Sequence, residues 1–399
     1  MIIISIYWGA NASASLIKNG VVVSAYNEER FTRNKNEDKF PKFSIEACLK
    51  DNNLKKKDID YVAIASYLQQ SDETLLNKHS TFTIKDYVKE QHQFWYPKIF
   101  LKKNLRLKNI FKEKININQF PKNYWKNYNK KNFSFKKFGD DRIEIISQFL
   151  DIEKNKIYKI EHHLCHSYYA YLSSNFRNKK VLCFTVDGWG DGLNATISSF
   201  DKFGNYKRLY KTNKCNIARI YRHMTLLLGM KPNEHEFKVM GMAPYAKNNY
   251  IGNSLNIFRK TLGVSGINFK WINKPKDSYF SFKKMLEGER FDNIAGGLQK
   301  WVEELLSKWV LNSIKKFKIK DIVISGGVSM NMKAMGEIAK LKKVSNIFVG
   351  GSGSDESLAL SAGLILYLKK IKNKKLLKTY KPIKNLYLGS ENNFLEEEK

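Results

Sequence analysis

Three of the seven histidines of this 399-residue chain fall within five positions, in the run Glu161-His162-His163-Leu164-Cys165-His166. His162 and His166 are four residues apart, so on a helix they project from one face about one turn apart. Such a pair offers a metal two imidazoles from one rigid element. His163 points elsewhere around the helix, and a structural hydrogen bond or a role beside substrate are both open to it. The third ligand must come from distant sequence. A carboxylate is the natural complement, because it leaves coordination positions free for substrate oxygens. The candidate is Asp355 in GGSGSDESLALSAG, which follows a glycine-rich turn and could also serve only as a helix N-cap. Glu356 is the alternative ligand beside it.

Two glycine-rich turns could handle phosphate. Asp187-Gly188-Trp189-Gly190-Asp191-Gly192 ends a run of strand-like residues. Its glycines let the backbone approach an anion, and its aspartates can hold a cation or polarise water, although a hairpin turn also favours Asp-Gly. Ser325-Gly326-Gly327-Val328 lies where a strand would pass into a helix and forms a second candidate cradle, with Asn331 directed to the same place. Lys238, in NEHEFKVMGMAPYA, and Arg33 and Lys35, in EERFTRNK, are cations suited to a phosphorylated ligand.

The elements that must position these residues show a design used twice. From Ile2 the sequence reads as a strand, a Gly9 loop, a strand over Ala12–Ile17, an Asn19-Gly20 turn and a strand over Val21–Tyr26; Asn-Gly between apolar runs is a strong hairpin signal. From Val181 it repeats: a strand over Val181–Val186, a glycine-rich loop, a strand of small and β-branched residues, a Gly204-Asn205 turn and a third strand. Helices are predicted over Ala218–Met230 and Ile294–Phe317, then a strand Asp321–Ser325, a helix from about Met332, a strand Ile347–Val349 and a helix Ser357–Leu368. Two such α/β lobes facing a cleft predict the α/β class and a duplicated actin-like, ribonuclease H-like fold around a nucleotide. The expected divisions are 1–180 for the first lobe and 181–383 for the second. A helical insertion is expected at about 84–138, which carries fifteen Lys/Arg against three Asp/Glu with Phe94, Trp95, Tyr96, Tyr124, Trp125 and Tyr128 interleaved. Those aromatics either pack the insertion down or stack nucleic-acid bases, and packing is the preferred reading.

Composition bounds the rest. At 43% apolar and 13% aromatic the chain has the means to build cores, which excludes wholesale disorder. Cys48, Cys165, Cys183 and Cys215 form no CxxC pair, so reduced thiols in a cytoplasmic protein are expected rather than a disulfide framework. No run is long enough to span a membrane, and the opening Ile2–Ile4 has no basic leader, so no secretory signal is expected. The net charge of +32 raises nucleic acid as a partner. Abundant Lys, Asn, Ile, Tyr and Phe, all with AT-rich codons, explain much of it equally well.

Taken in order, EERFTRNK, EHHLCHSYYAYLSSNF, VDGWGDG, NEHEFKVMGMAPYA, SGGVSMN and GSGSDESLALSAG resemble the O-carbamoyltransferases of nodulation-factor and antibiotic biosynthesis. The resemblance spans almost the whole chain and is weakest over 84–138. It implies transfer of a carbamoyl group from carbamoyl phosphate, through an ATP-derived carbamoyl-adenylate, to a hydroxyl of a sugar or specialised metabolite. It implies ATP and a divalent metal as cofactors, Fe(II) or else Mg(II), held by His162, His166 and Asp355. In the nucleotide-binding set it places Asp187, Gly188, Gly190, Asp191, Lys238, Gly326, Gly327, Val328 and Asn331, with Lys35 and Arg33 orienting the carbamoyl donor. Where that family usually has His-Asp in the first loop, this chain has Ala10-Asn11. Asn385–Ser390 resembles the junction to the family's C-terminal domain, so a domain starting at about 384 is expected to be missing, and its adenylate-forming step to fall to a separate partner protein. Similarity to the tRNA threonylcarbamoyl-adenosine transferases, which share a His-x-x-x-His site, supplies the alternative, as does an inactive nucleotide-binding module.

Overall fold

The computed structural model describes residues 1–116, 135–247, 249–371, 383 and 385–390. Strand β1 (Ile2–Tyr7) is apolar without alternation because both its faces are covered. Ile4 and Ile6 pack with Leu16, Val62 and Ile64 beneath helices α1 (Lys42–Lys50) and α3 (Phe135–Leu150). Ile3, with Ile17 and Ala63, faces the other way. β2 (Ser13–Lys18) and β3 (Val21–Asn27) form the expected hairpin, turned at Asn19 and Gly20 with φ of 50° and 83°, the left-handed pair that Asn-Gly adopts readily. β4 (Tyr61–Ala65) and β5 (Ile157–Ile160) add in parallel on the other side of β1, giving the order β3-β2-β1-β4-β5.

The second sheet repeats this plan. β6 (Val181–Gly190), β7 (Leu193–Phe200) and β8 (Tyr206–Thr212) are antiparallel, and β11 (Asp321–Ser325) and β12 (Asn346–Val349) add in parallel, in the order β12-β11-β6-β7-β8. A small hairpin, β9 (Leu262–Ser265) with β10 (Asn268–Trp271), lies between. Two copies of one five-stranded order make the expected duplicated actin-like, ribonuclease H-like α/β fold. On the second lobe, helix α7 (Phe291–Phe317) buries Trp301 and Trp309, whose indole N–H groups donate to Leu262 O and Ile267 O of that hairpin.

The connection that builds the site is a reciprocal exchange of helices. α4 (His162–Ser173) follows the first sheet yet packs on β6 and β11 of the second. α9 (Leu358–Ile371) follows the second sheet yet packs on β1, β2 and β4 of the first. The two helices lie against each other between the sheets, in a core that includes Cys165, Ala170, Cys183, Val323, Leu358, Ala359, Ala362 and Ile365. Each buried Leu or Ile there is worth about 1.5–3 kcal/mol. The fit is close: a Cβ on Gly363 would stand 2.3 Å from Ile17 Cδ1 and 2.9 Å from Ser5 Cβ.

The insertion is helical as expected where it is described, beginning with α2 (Ile84–Glu90), but it does not pack only on its own lobe. Leu76, Phe82, Tyr87, Phe94, Leu107 and Phe111 are buried together with Leu226 and Tyr279 of the second lobe. It therefore walls the cleft from one lobe to the other. Tyr124, Trp125 and Tyr128 lie outside the described residues, as does most of the stretch from 384 to 399. Of the latter, Leu388 O accepts from Ala25 N of β3 at 2.9 Å. The four cysteines are buried free thiols, and among the described residues no helix is long and apolar enough to cross a membrane.

Candidate functional site

The cleft between the lobes encloses about 1400 Å³, and its lining includes Tyr7, His162, Asp187, Gly188, Gly190, Gly327, Val328, Asn331 and Asp355. The first two turns of α4, the short turn Asp355–Ser357 that leads into α9, and the end of β6 converge at its floor. There His162, His166, Asp187 and Asp355 each present one ligand atom, and these atoms lie within 4.8 Å of one another. The two Nε2 atoms are 3.1 Å apart. Asp187 Oδ2 is 3.0 Å from His162 Nε2, and Asp355 Oδ1 is 3.7 Å and 3.4 Å from the Nε2 atoms of His162 and His166.

The remaining ring nitrogens are engaged from behind. His162 Nδ1 meets Ser66 Oγ at 3.0 Å, just past β4, and His166 Nδ1 meets Ser325 Oγ at 3.2 Å, at the end of β11. Each sheet thus sends a serine from the end of its fourth strand to orient one imidazole, the supporting partner that metal-bound histidines generally have. Tyr7 OH donates to Asp355 Oδ2 at 2.5 Å, and Gly327 N–H donates to Asp187 Oδ1 at 3.1 Å. Asp355 Oδ1 is buried without a hydrogen bond and faces the two imidazoles. An orphaned carboxylate oxygen beside two nitrogen lone-pair positions fits a bound divalent cation. Burial alone would pull the His162 imidazole down, but Asp355 and Asp187 outweigh it and hold the metal-free group up at about 9. Burial would likewise raise Asp187, yet the three imidazoles, His162 first, hold it well below the usual carboxylate range. The cluster is therefore strongly polarised and has room for one cation in place of a proton.

The other expected residues divide. His163 is fully buried with Nδ1 on Thr185 Oγ1 at 2.8 Å, and burial, with His162 and His166 adding to it, holds its imidazole well below the usual range. Of its two open readings the structural one matches this geometry. Asp191 accepts from the N–H groups of His162, Tyr67 and Leu68 at 2.8, 3.0 and 2.8 Å, which fixes the start of α4. Gly190 is filled from its own side: a Cβ there would lie 2.1 Å from His162 Cδ2. Gly326, at φ 97°, is pressed against Val186 O, which a Cβ would approach to 2.3 Å. Gly188, Gly327, Val328 and Asn331 do line the cleft, although Asn331 also exchanges two hydrogen bonds with Gln299. Lys238 stands exposed on α6 (Glu236–Met242), Arg33 ends a short turn of helix at φ 58°, and Lys35 pairs with Glu234 at 3.6 Å. Those three cations are not in the cleft wall among the described residues. Asn11 Nδ2 is 3.4 Å from Glu356 Oε2, so Glu356 is engaged away from the cluster.

The sequence put Asp187 in the cleft and among groups able to hold a cation, but not beside the histidines. It carried no signal for Tyr7, which reads as one more strand residue, or for Ser66. Tyr7→Phe keeps the ring and removes one donor to Asp355. It should weaken metal binding by about 10–100-fold while leaving the melting temperature nearly unchanged, and equilibrium dialysis measures this directly.

Residues 2–364 match the family described as Carbamoyltransferase N-terminus. An uncharacterized protein of Synechocystis sp. is 24% identical over 408 residues, covering 97% of this chain and 60% of that protein. One of Methanocaldococcus jannaschii is 26% identical over 370 residues, covering 91% and 56%. Nodulation protein NolNO of Sinorhizobium fredii is 22% identical over 363 residues, covering 89% and 46%. The chain thus spans between 46% and 60% of the length of these relatives.

Proposed function

The chain belongs to the carbamoyltransferase N-terminal family, and from that premise we propose that it is the transfer half of a carbamoyltransferase. Its donor is carbamoyl phosphate by way of an ATP-derived carbamoyl-adenylate. Its acceptor is a hydroxyl of a sugar or specialised metabolite. The observation that carries this reading is the four-donor cluster of His162, His166, Asp187 and Asp355 on the floor of the interlobe cleft. Two imidazoles with two carboxylates suit Fe(II) better than Mg(II), which prefers an all-oxygen shell. When bound, the ion supplies a positive charge that stabilises negative charge developing on carbamoyl and phosphate oxygens.

The protein's own groups do the positioning. Ser66 and Ser325 fix both imidazoles, Tyr7 and the Gly327 N–H fix the two carboxylates, and Gly188, Val328 and Asn331 offer a wall for the nucleotide. In the transfer the acceptor oxygen bonds the carbamoyl carbon, the bond from that carbon to the phosphate oxygen breaks with the electron pair leaving on the oxygen of AMP, and the hydroxyl proton passes to water. Holding the reactants in one geometry can remove about 7–11 kcal/mol of such a barrier.

Calorimetry with a non-hydrolysable ATP analogue tests the reading on this chain by itself. The metal-loaded chain should bind it with a dissociation constant below about 100 µM, and carbamoyl phosphate should not compete for the adenosine part. A metal-loaded chain that fails to bind the analogue would overturn the proposal.

A further inference from the structure

Away from the metal cluster, the cleft wall carries two arginines on α5 (Ile217–Leu227) of the second lobe. Arg219 and Arg222 are three residues apart, so they are neighbours on the helix surface, and both line the cleft. Arg219 is exposed and Arg222 half-buried. Neither guanidinium has a hydrogen bond or ion pair among the described residues; Arg222 only rests near the Tyr87 ring, 5.8 Å from its centroid. A half-buried guanidinium that gives up water without gaining an acceptor is costly, which points to a ligand that supplies one.

Glu90, Glu73 and Glu236 lend negative charge to the surroundings of Arg222 and hold its guanidinium above the usual range against burial, but none of them bonds it. Glu73 Oε1 and Glu90 Oε1 both hold Lys78 Nζ, at 2.9 Å each, and Glu236 accepts from Asn233 N at 2.7 Å. Asp277 accepts from Tyr279 N at 2.7 Å at the start of the next helix. Lys274 and Lys276 line the same cleft, on the loop that also holds Asp277.

We propose that Arg219 and Arg222 form a second anion site that takes a phosphate or pyrophosphate group carried by the acceptor, making the acceptor a phosphorylated or nucleotide-linked hydroxyl compound. Its anionic end is held on α5 while its hydroxyl faces the metal cluster. The inference rests on the reading of the cleft as the place where donor and acceptor meet. Guanidinium forks suit phosphate oxygens in geometry as well as charge.

The test uses inorganic pyrophosphate as probe, titrated by calorimetry into the full metal-loaded chain already saturated with the ATP analogue. The native chain should bind it, and Arg222→Gln should weaken that binding by about tenfold or more. Arg222→Lys should keep part of it, and Arg219→Gln, at an exposed position that does not bear on folding, should lower it by a smaller factor. Affinity for the ATP analogue should stay within about twofold throughout. Pyrophosphate binding that is absent, or equal in native and Arg222→Gln proteins, overturns the proposal. So does a parallel loss of analogue binding, because the arginines would then serve the phosphates of ATP. Failure of the broader reading looks different: there the analogue itself does not bind to the native protein.

Discussion

Alanine at His166 should release the metal, taking the purified protein from about one equivalent per chain to under about a tenth, because one nitrogen donor of the set is gone. His166 is fully buried, and its Nε2 lies 3.1 Å from that of His162 and 3.4 Å from Asp355 Oδ1. No other described side chain among the candidate ligands can replace it from the same helix, since His163 is turned to Thr185. Loss of a supporting partner costs about 10–100-fold in metal affinity, and loss of a ligand more. The fold should survive with a penalty of about 1–3 kcal/mol, mostly from the cavity and the abandoned Ser325 hydroxyl. His166→Gln, which preserves more of the volume, should lose the metal with less effect on melting. Elemental analysis beside circular dichroism decides the matter: native metal content in a folded His166→Ala protein would refute the centre.

The second large effect is expected at a glycine. In Gly190→Ala the new methyl group would stand 2.1 to 2.5 Å from three atoms of the His162 ring. That ring cannot step aside easily, being 1% exposed and held by Ser66 at 3.0 Å and Asp187 at 3.0 Å. Overpacking of this kind costs about 1–3 kcal/mol or more, and the relief that is available, rotating His162 away, dismantles the metal cluster. Gly190→Ala should therefore lose both stability and metal. Gly188→Ala makes the contrast, because its Cβ would meet nothing within 4 Å. It should leave melting and metal content almost unchanged, and weaken the ATP analogue only if phosphates approach that backbone closely. Equal behaviour of the two variants would sink the packing account of Gly190.

The two alanine scans also separate what was readable from what was not. Strand β1, the Asn19-Gly20 turn and the repeat at Val181 were legible because local chemistry decides them: apolar runs, left-handed turn residues and helix periodicity act over a few positions. The i, i+4 spacing of His162 and His166 was legible for the same reason. Asp355 was reachable as a candidate carboxylate on chemical grounds alone. The close packing at Gly190 and Gly326 was not recoverable locally, since a glycine kept small for a ligand and one kept small for the protein's own ring or carbonyl look identical in sequence. Nor could Lys35, Arg33 and Lys238 be sorted into wall or exterior by charge.

By itself, then, the sequence determined the α/β class, the doubling of the lobe and the helix that carries two imidazoles, all consequences of interactions between near neighbours in the chain. Tertiary structure alone decided that α4 and α9 exchange lobes and so bring the start of α4 and the turn before α9 together. That exchange sets Asp187 opposite His162 and aims Tyr7 at Asp355. The physical reason is that these pairs are joined by packing of two sheets around two helices, across separations of 25 and 348 residues, where no local pattern carries the information.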